Sequence, residues 1–129
     1  MPQTKLLFFQ DANGVSPVWE WLKELRVMNP RAFAKCLVRM RRLAGMGYEL
    51  RRPETDLLRD GIYELRARFG TVNYRLLYVF HGQNVAVLAH AITKENEIPM
   101  VEMNRALERK IAFAANPTAH TFIGDLDDA

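Results

Sequence analysis

The chain has 129 residues, of which 49% are hydrophobic and 26% are charged, and its formal net charge is +3 at pH 7. This length predicts a single domain that buries roughly two-thirds of its unfolded surface. No apolar run approaches the roughly 20 residues that span a bilayer, and no apolar signal segment follows Met1–Lys5, so we expect a cytoplasmic protein without a membrane partner. The single cysteine, Cys36, excludes an internal disulfide, and we expect it to be a buried structural thiol.

Positive charge is concentrated in the middle of the sequence. Eleven cationic and five acidic side chains lie between Arg31 and Arg75, whereas residues 123–129 carry three acidic side chains and no cation. A basic body with an acidic tail favours a polyanionic partner, and RNA is the first candidate. The same asymmetry raises the hypothesis that the tail folds back over the basic face.

The first part of the chain predicts one strand and two helices. Lys5–Phe9 has the composition of a short strand. Ser16–Pro17 supply an N-cap and a first-turn proline for a helix that ends near Arg26. Asn29–Pro30 repeat this signal for a longer helix that ends near Ala44.

Three strands are then predicted in succession, followed by a helix. They are Gly61–Phe69, Tyr74–Phe80 and Val85–Ile92, separated by turns. The helix begins at Pro99 and ends at Asn116–Pro117. The first of the three strands is strictly alternating, and one of its faces carries Ile62, Glu64, Arg66 and Arg68.

The predicted order of elements is β-α-α-β-β-β-α. It indicates an α+β fold in which an antiparallel sheet carries two helices on one face, with the first strand at an edge of the three-strand meander. Residues 1–112 are predicted to form a single domain, and residues 113–129 a loose acidic C-terminal tail.

The segments Tyr63–Arg66 and Tyr74–Tyr78 resemble the RelE/HigB toxin superfamily, and above all its phage-derived HigB-like branch. In that branch a strand ending in Leu-Arg precedes a Tyr-Arg-x-Leu-Tyr strand. An apolar strand with a histidine follows, then a lysine, a proline and a helix rich in Glu, Ala and Arg. The likeness covers roughly residues 4–110, and its later counterparts are Leu88–Ile92, Lys94, Pro99, Glu102, Ala106 and Arg109.

The resemblance implies a RelE-like (microbial RNase-like) fold and a type II toxin that cleaves mRNA at the ribosome through the RNA 2′-hydroxyl, without metal. The implied partners are mRNA, the ribosome and a cognate antitoxin, often of the helix-turn-helix type. The sequence itself has no clustered Cys/His or paired-carboxylate metal pattern, and we expect no cofactor. ParE-type members of the same fold poison DNA gyrase, so a gyrase inhibitor and a non-toxic phage-derived binding module stay open as alternatives.

Five residues are candidates for the catalytic site. By resemblance, Arg75 matches the strand arginine that contacts the scissile phosphate, Arg66 and Lys94 match basic positions, and His90 matches the histidine of the HigB-like branch. Glu64 shares a strand face with Arg66 and could act as general base. The structural alternatives are ion pairs of the arginines on the sheet and a hydrogen-bonded core position for His90.

Further cations are candidate RNA contacts, and two positions depart from the HigB-like pattern. Arg68, Arg39 and Arg42 are predicted to bind RNA, although the last two could also form a solvated helix face. Glu95 stands where the branch usually has a second lysine, and the spacing to Pro99 is one residue short. A weaker or altered activity therefore stays open.

Overall fold

The structure is a computed structural model that describes residues 3–94 and 97–128, without the side chains of Lys94 and Asp128. None of its helices within these ranges is long and apolar enough to cross a bilayer. The elements in chain order are β1 (Lys5–Phe9), α1 (Pro17–Met28), α2 (Pro30–Met46), β2 (Thr55–Arg59), β3 (Ile62–Phe69), β4 (Val72–Phe80), β5 (Val85–Lys94), α3 (Met100–Ala115), α4 (Pro117–His120) and β6 (Thr121–Phe122).

The strands form one sheet in the order β2-β3-β4-β5-β1-β6. The α+β class and the place of β1 beside the meander are confirmed. β1 pairs with β5 in parallel, from Lys5 opposite Val85 to Phe8 opposite Leu88, whereas the other pairings are antiparallel. Two parallel neighbouring strands must be joined by a long crossover connection. The connection from β1 to β5 begins with the α1–α2 hairpin.

Each face of the sheet packs against different helices. Leu65 and Leu76 point toward α1 and α2 and share their core with Met40. Ile62 and Leu77 point to the other face and pack with Met103 of α3. The predicted pair of helices on one face is therefore confirmed, and strand alternation places Glu64, Arg66 and Arg75 on the α3 side.

The start signals of α1 and α2 are confirmed. Ser16 Oγ accepts a hydrogen bond from the Trp19 backbone at 3.4 Å, and Asn29 Oδ1 accepts one from Ala32 at 3.1 Å. Both helices run two residues further than predicted. Cys36 is fully buried on α2, and burial raises the pKa of its thiol to about 12, so it is the structural thiol that the sequence predicts.

β2 corrects the prediction of a loop between α2 and the strand triplet. It pairs antiparallel with β3, with Leu57 opposite Tyr63. A two-residue turn makes this hairpin possible, since Asp60 has φ +54° and Gly61 has φ +73°. The sequence does not predict this strand, because the only apolar residues of β2, Leu57 and Leu58, are adjacent and show no alternation.

The C-terminal segment is not the loose tail that the sequence predicts. β6 pairs with β1, and the Phe122 ring packs on Trp19 with a centroid distance of 5.4 Å. Asp127 forms an ion pair with Arg41 on α2, away from the α3 side of the sheet. The acidic segment therefore folds back onto the basic stretch between Arg31 and Arg75, at α2, and apolar contacts around Trp19 fix its course.

Two glycines provide a matched test of this packing. A Cβ on Gly124 would lie 2.2 Å from the buried Trp19 ring, whereas a Cβ on Gly45, inside α2, would meet nothing within 4 Å. We expect Gly124→Ala to lower the free energy of unfolding by about 1–3 kcal/mol through overpacking. Gly45→Ala should raise it by roughly 0.5–1 kcal/mol through helix propensity. Urea unfolding of both variants checks this, and equal stability of Gly124→Ala and the parent would contradict the packing of the segment.

Candidate active site

Three of the predicted catalytic residues meet on the α3 side of the sheet. Arg66 of β3 lies directly opposite Arg75 of β4, and Glu64 precedes Arg66 by two residues on the same strand face. We call Glu64, Arg66 and Arg75 the Arg–Glu cluster.

The carboxylate of Glu64 lies between the two guanidinium groups. Its side chain is 1% exposed, and both oxygens accept hydrogen bonds. Arg66 donates to Oε1 from Nε at 2.7 Å and from Nη2 at 2.6 Å, and Arg75 Nη1 donates to Oε2 at 2.8 Å. The buried negative charge is therefore fully compensated, and the cluster keeps one net positive charge.

Arg75 has an unused donor. Its side chain is 11% exposed, and within the described part of the chain its Nε is buried without a hydrogen-bond partner. Buried N–H groups in proteins are nearly always paired, and each exception requires an explanation. This atom is closed to solvent, so a ligand in either cavity would contact other atoms of Arg75.

Two cavities meet at the arginine pair. The apolar cavity, of about 380 Å³, borders the cluster and is otherwise lined by Leu58, Arg59, Glu97, Ile98, Met100 and Met103. The polar cavity, of about 430 Å³, is lined by Arg39, Pro53, Arg66, Arg68, Asn73 and Arg75. Arg66 and Arg75 line both cavities, so an extended ligand that occupies both must cross the two guanidinium groups.

The chemistry that this arrangement allows is the binding of a phosphodiester and the stabilisation of added negative charge on it. Guanidinium groups suit phosphate oxygens because their N–H donors form a planar fork. The donors of Arg66 and Arg75 are fixed in place by Glu64, so they need little reorganisation when a pentavalent phosphorane forms.

His90 lies on the α3 side as well but is engaged with α3. Its Nε2 lies 3.0 Å from Glu102 Oε2, and its Nδ1 lies 2.8 Å from Arg109 Nη1. Arg109 also donates to the Ala89 carbonyl at 2.9 Å. Because Arg109 can only donate, Nδ1 accepts and Nε2–H donates to Glu102, which is the pattern of a neutral imidazole. The contacts of His90 thus fasten α3 to β5.

This network predicts a pH-dependent stability. Burial is the largest cause that lowers the pKa of His90 from 6.5, against the raising effect of the Glu102 hydrogen bond, and Arg109 lowers it further. The unfolded chain therefore binds a proton more readily, so the contribution of His90 is present above about pH 6.5 and is lost as the pH falls below it. When the pH falls from 7.5 to 5.0, the free energy of unfolding, measured in urea, should decrease less for His90→Gln than for the parent. The exposed His81 gives the control His81→Gln, and equal losses in all three proteins would contradict the prediction.

Residues 23–111 match the model of a family described as phage-derived protein Gp49-like (DUF891), which covers more than half of the chain. The chain belongs to the Gp49-like family. This family is associated with RelE/HigB-like toxins. No curated protein matches the sequence.

The Gp49-like region contains all the predicted site residues. It includes the Arg–Glu cluster, His90, Lys94 and most of α3, and it leaves β1 and the C-terminal segment outside. The association of this family with RelE/HigB-like toxins therefore supports the resemblance, without assigning the chain to the HigB-like branch.

Two of the predicted RNA contacts, Arg39 and Arg42, bind a second carboxylate, Glu54. Arg42 donates two hydrogen bonds to it, at 3.0 and 2.9 Å, and Arg39 Nη1 lies 3.2 Å from it. The hydrogen bonds from Arg42 are the largest cause that lowers the pKa of Glu54. Arg39 also donates to the Arg66 carbonyl at 3.1 Å. Arg39 and Arg68 line the polar cavity, whereas Arg42 is not among its lining residues.

The end of β5 reaches the polar cavity. The backbone of Lys94 pairs with Asn73, which lines that cavity, so the predicted basic position lies beside it along the sheet. Glu95, the first departure from the HigB-like pattern, lies outside the described residues. Pro99 directly precedes α3 and its carbonyl accepts from Met103 at 3.2 Å, which confirms the predicted helix start.

The sequence prediction missed the apolar wall of the site. Leu58 and Arg59 belong to the unpredicted strand β2, and Met100 and Met103 belong to α3. Arg59 Nη2 donates to Asn104 Oδ1 at 3.4 Å and so connects β2 to α3 across the apolar cavity. The turn formed by Asp60 and Gly61 was the available sign that a strand precedes it.

Proposed function

We propose that this Gp49-like protein is a toxin of a type II toxin–antitoxin system, an endoribonuclease that cleaves mRNA at the ribosome and is neutralised by a cognate antitoxin. The observation that carries the proposal is the Arg–Glu cluster, in which one buried carboxylate holds two guanidinium groups where the apolar and polar cavities meet. The family association with RelE/HigB-like toxins supports it.

The proposed reaction uses the 2′-hydroxyl of the RNA as nucleophile. Its oxygen attacks the adjacent phosphorus while its proton passes to water, and the phosphorane forms. The bond from phosphorus to the 5′-oxygen then breaks, and the 5′-oxygen takes a proton from water to leave a 2′,3′-cyclic phosphate. Arg75 and Arg66 bind the non-bridging oxygens as their negative charge grows. Glu64 has both oxygens occupied by the arginines, so we propose it as a positioning residue rather than the base.

Lys94 is proposed as the cation that assists the leaving 5′-oxygen. The pairing of its backbone with Asn73, which lines the polar cavity, supports this role. His90 is proposed as a positioning residue that holds α3 against the sheet, because both of its ring nitrogens contact α3 side chains.

The test is to map mRNA 5′ ends in a translating extract that receives the purified protein. We expect new ends within translated regions that disappear when ribosomes are omitted and when Arg75→Ala replaces the parent protein. Intact mRNA in the presence of folded protein would overturn the proposal.

A second candidate, inhibition of DNA gyrase without RNA cleavage, is favoured by one observation. The two titratable groups predicted for proton transfer, Glu64 and His90, are both engaged in internal contacts. DNA-damage signalling with intact mRNA would support this candidate. Harmless overexpression, and the lack of a neighbouring gene for a small helix-turn-helix protein, would instead favour a non-toxic binding module.

A further inference from the structure

A third cavity, of about 650 Å³, lies on the sheet face opposite the Arg–Glu cluster. It opens between the 3₁₀ turn after α2, β2 and the side of β3 and β4 that faces α2. We call it the aromatic cavity, because four of its lining residues are Tyr48, Tyr63, Tyr78 and Phe80.

The rings of this cavity include one that packing does not bury. Tyr48 stacks on Phe80 with a centroid distance of 3.7 Å, yet it is 49% exposed. Tyr63 stacks in turn on Tyr78 at 5.4 Å. Because Tyr48 is half exposed and Phe80 supports one face of its ring, a further planar group can stack on Tyr48.

The rim of the aromatic cavity carries an uncompensated positive charge. Arg51 donates to the carbonyls of Tyr48 and, at 3.2 Å, Leu50, and no carboxylate of residues 3–94 or 97–128 forms an ion pair with it. Its neighbour Arg52 differs, since it donates two hydrogen bonds of 3.0 Å to Asp56. Arg51 therefore offers its charge to an anion beside the stacking surface.

The floor of the cavity offers stacking rather than hydrogen bonds. Thr55 Oγ1 donates to the Glu64 carbonyl at 2.8 Å and lies 2.6 Å from Tyr78 Oη, so the tyrosine is the donor of that second bond. Burial raises the pKa of Tyr78 to about 12, which keeps its hydroxyl neutral. With these hydroxyls paired, a bound base is held by its flat face and its identity matters little.

The aromatic cavity and the polar cavity are separated by a short stretch of chain. Arg51 and Arg52 line the aromatic cavity, and the next residue, Pro53, lines the polar cavity beside Arg39 and Arg68. The two cavities therefore adjoin along the chain at the step from Arg52 to Pro53.

We propose that the aromatic cavity is a second RNA contact, in which one unstacked nucleotide places its base on Tyr48 and its phosphate at Arg51. The contact rests on the proposed function, because it takes the same RNA strand as the Arg–Glu cluster. Positive charge beside stacked aromatic rings is the combination that binds single-stranded RNA without sequence preference.

The test measures binding of a single-stranded oligoribonucleotide with 2-aminopurine, whose fluorescence falls on stacking, to full-length Arg75→Ala. In that background we expect Tyr48→Leu to weaken binding about 5- to 100-fold and to abolish the quenching. Tyr48→Phe keeps the aromatic ring, so it should keep both the affinity and the quenching. Arg51→Gln should weaken binding and reduce its salt dependence, whereas Arg31→Gln, the same charge change on the exposed start of α2, should change it less.

Unchanged affinity and quenching in Tyr48→Leu would overturn the proposal. So would a loss of antitoxin binding in Tyr48→Leu with intact RNA binding, which would assign the cavity to a protein segment. The outcome is separable from that of the proposed function. Quenching that depends on Tyr48 without new mRNA ends would reject only the ribonuclease, whereas new ends that depend on Arg75 without such quenching would reject only the second contact.

Discussion

Replacement of Arg75 by alanine should lower the rate of RNA cleavage by about 10²- to 10³-fold, the usual effect of removing one fixed donor from a developing oxyanion. The effect should be large because Arg75 is nearly buried, is held by Glu64 and lines both cavities. Quantitative mapping of mRNA ends over time in the translating extract measures it.

Two variants separate the chemistry of Arg75 from its charge. Arg75→Lys keeps the charge but lacks the planar, pre-organised fork of the guanidinium group, so we expect most of the loss of rate to persist. Arg68→Ala removes an exposed arginine that lines only the polar cavity and bonds to the Gly70 carbonyl at 3.0 Å, so it should reduce the rate much less. A folded Arg75→Ala with a rate within threefold of the parent would contradict the proposed site.

Part of the Arg–Glu cluster could be predicted from periodicity, because Glu64 and Arg66 lie on one alternating strand, whereas Arg75 was a candidate by resemblance. Strict alternation in β3 placed Glu64 and Arg66 on one face, and the short turn after Phe69 set the register that brings Arg75 opposite Arg66. Such register follows from periodicity and turn position, which a single sequence contains.

The parts that were missed depend on contacts between distant segments. The apolar wall requires β2 to pair with β3 and α3 to reach across the sheet, and the two leucines of β2 give no periodic signal of that pairing. The C-terminal segment is fixed by Trp19, more than a hundred residues earlier in the chain. His90 shows a third limit, because its apolar strand predicted burial but not the partners Glu102 and Arg109 that engage its ring.

Replacement of Glu64 should affect stability more than the chemical step. Removing one member of a buried ion pair typically costs about 3–5 kcal/mol, because the remaining charges lose their partner. We expect Glu64→Ala to approach this loss in urea unfolding, since Arg75 is almost as buried as Glu64. The isosteric variant Glu64→Gln keeps an acceptor oxygen, so its free energy of unfolding should fall by less.

The catalytic consequence of Glu64→Gln decides between its two possible roles. For a positioning residue, the variant should cleave RNA within about tenfold of the parent at a temperature where both are folded, because donors as strong as Arg66 and Arg75 remain in place. The shape of its pH–rate profile should also be unchanged. For a general base, the rate should fall about 10²- to 10⁴-fold and the acidic limb of the profile should disappear. We expect the first result because both carboxylate oxygens already accept hydrogen bonds from the arginines, which leaves Glu64 without a free oxygen directed at a 2′-hydroxyl in the described cluster. The second result would require Glu64 to exchange an arginine for the substrate during the reaction.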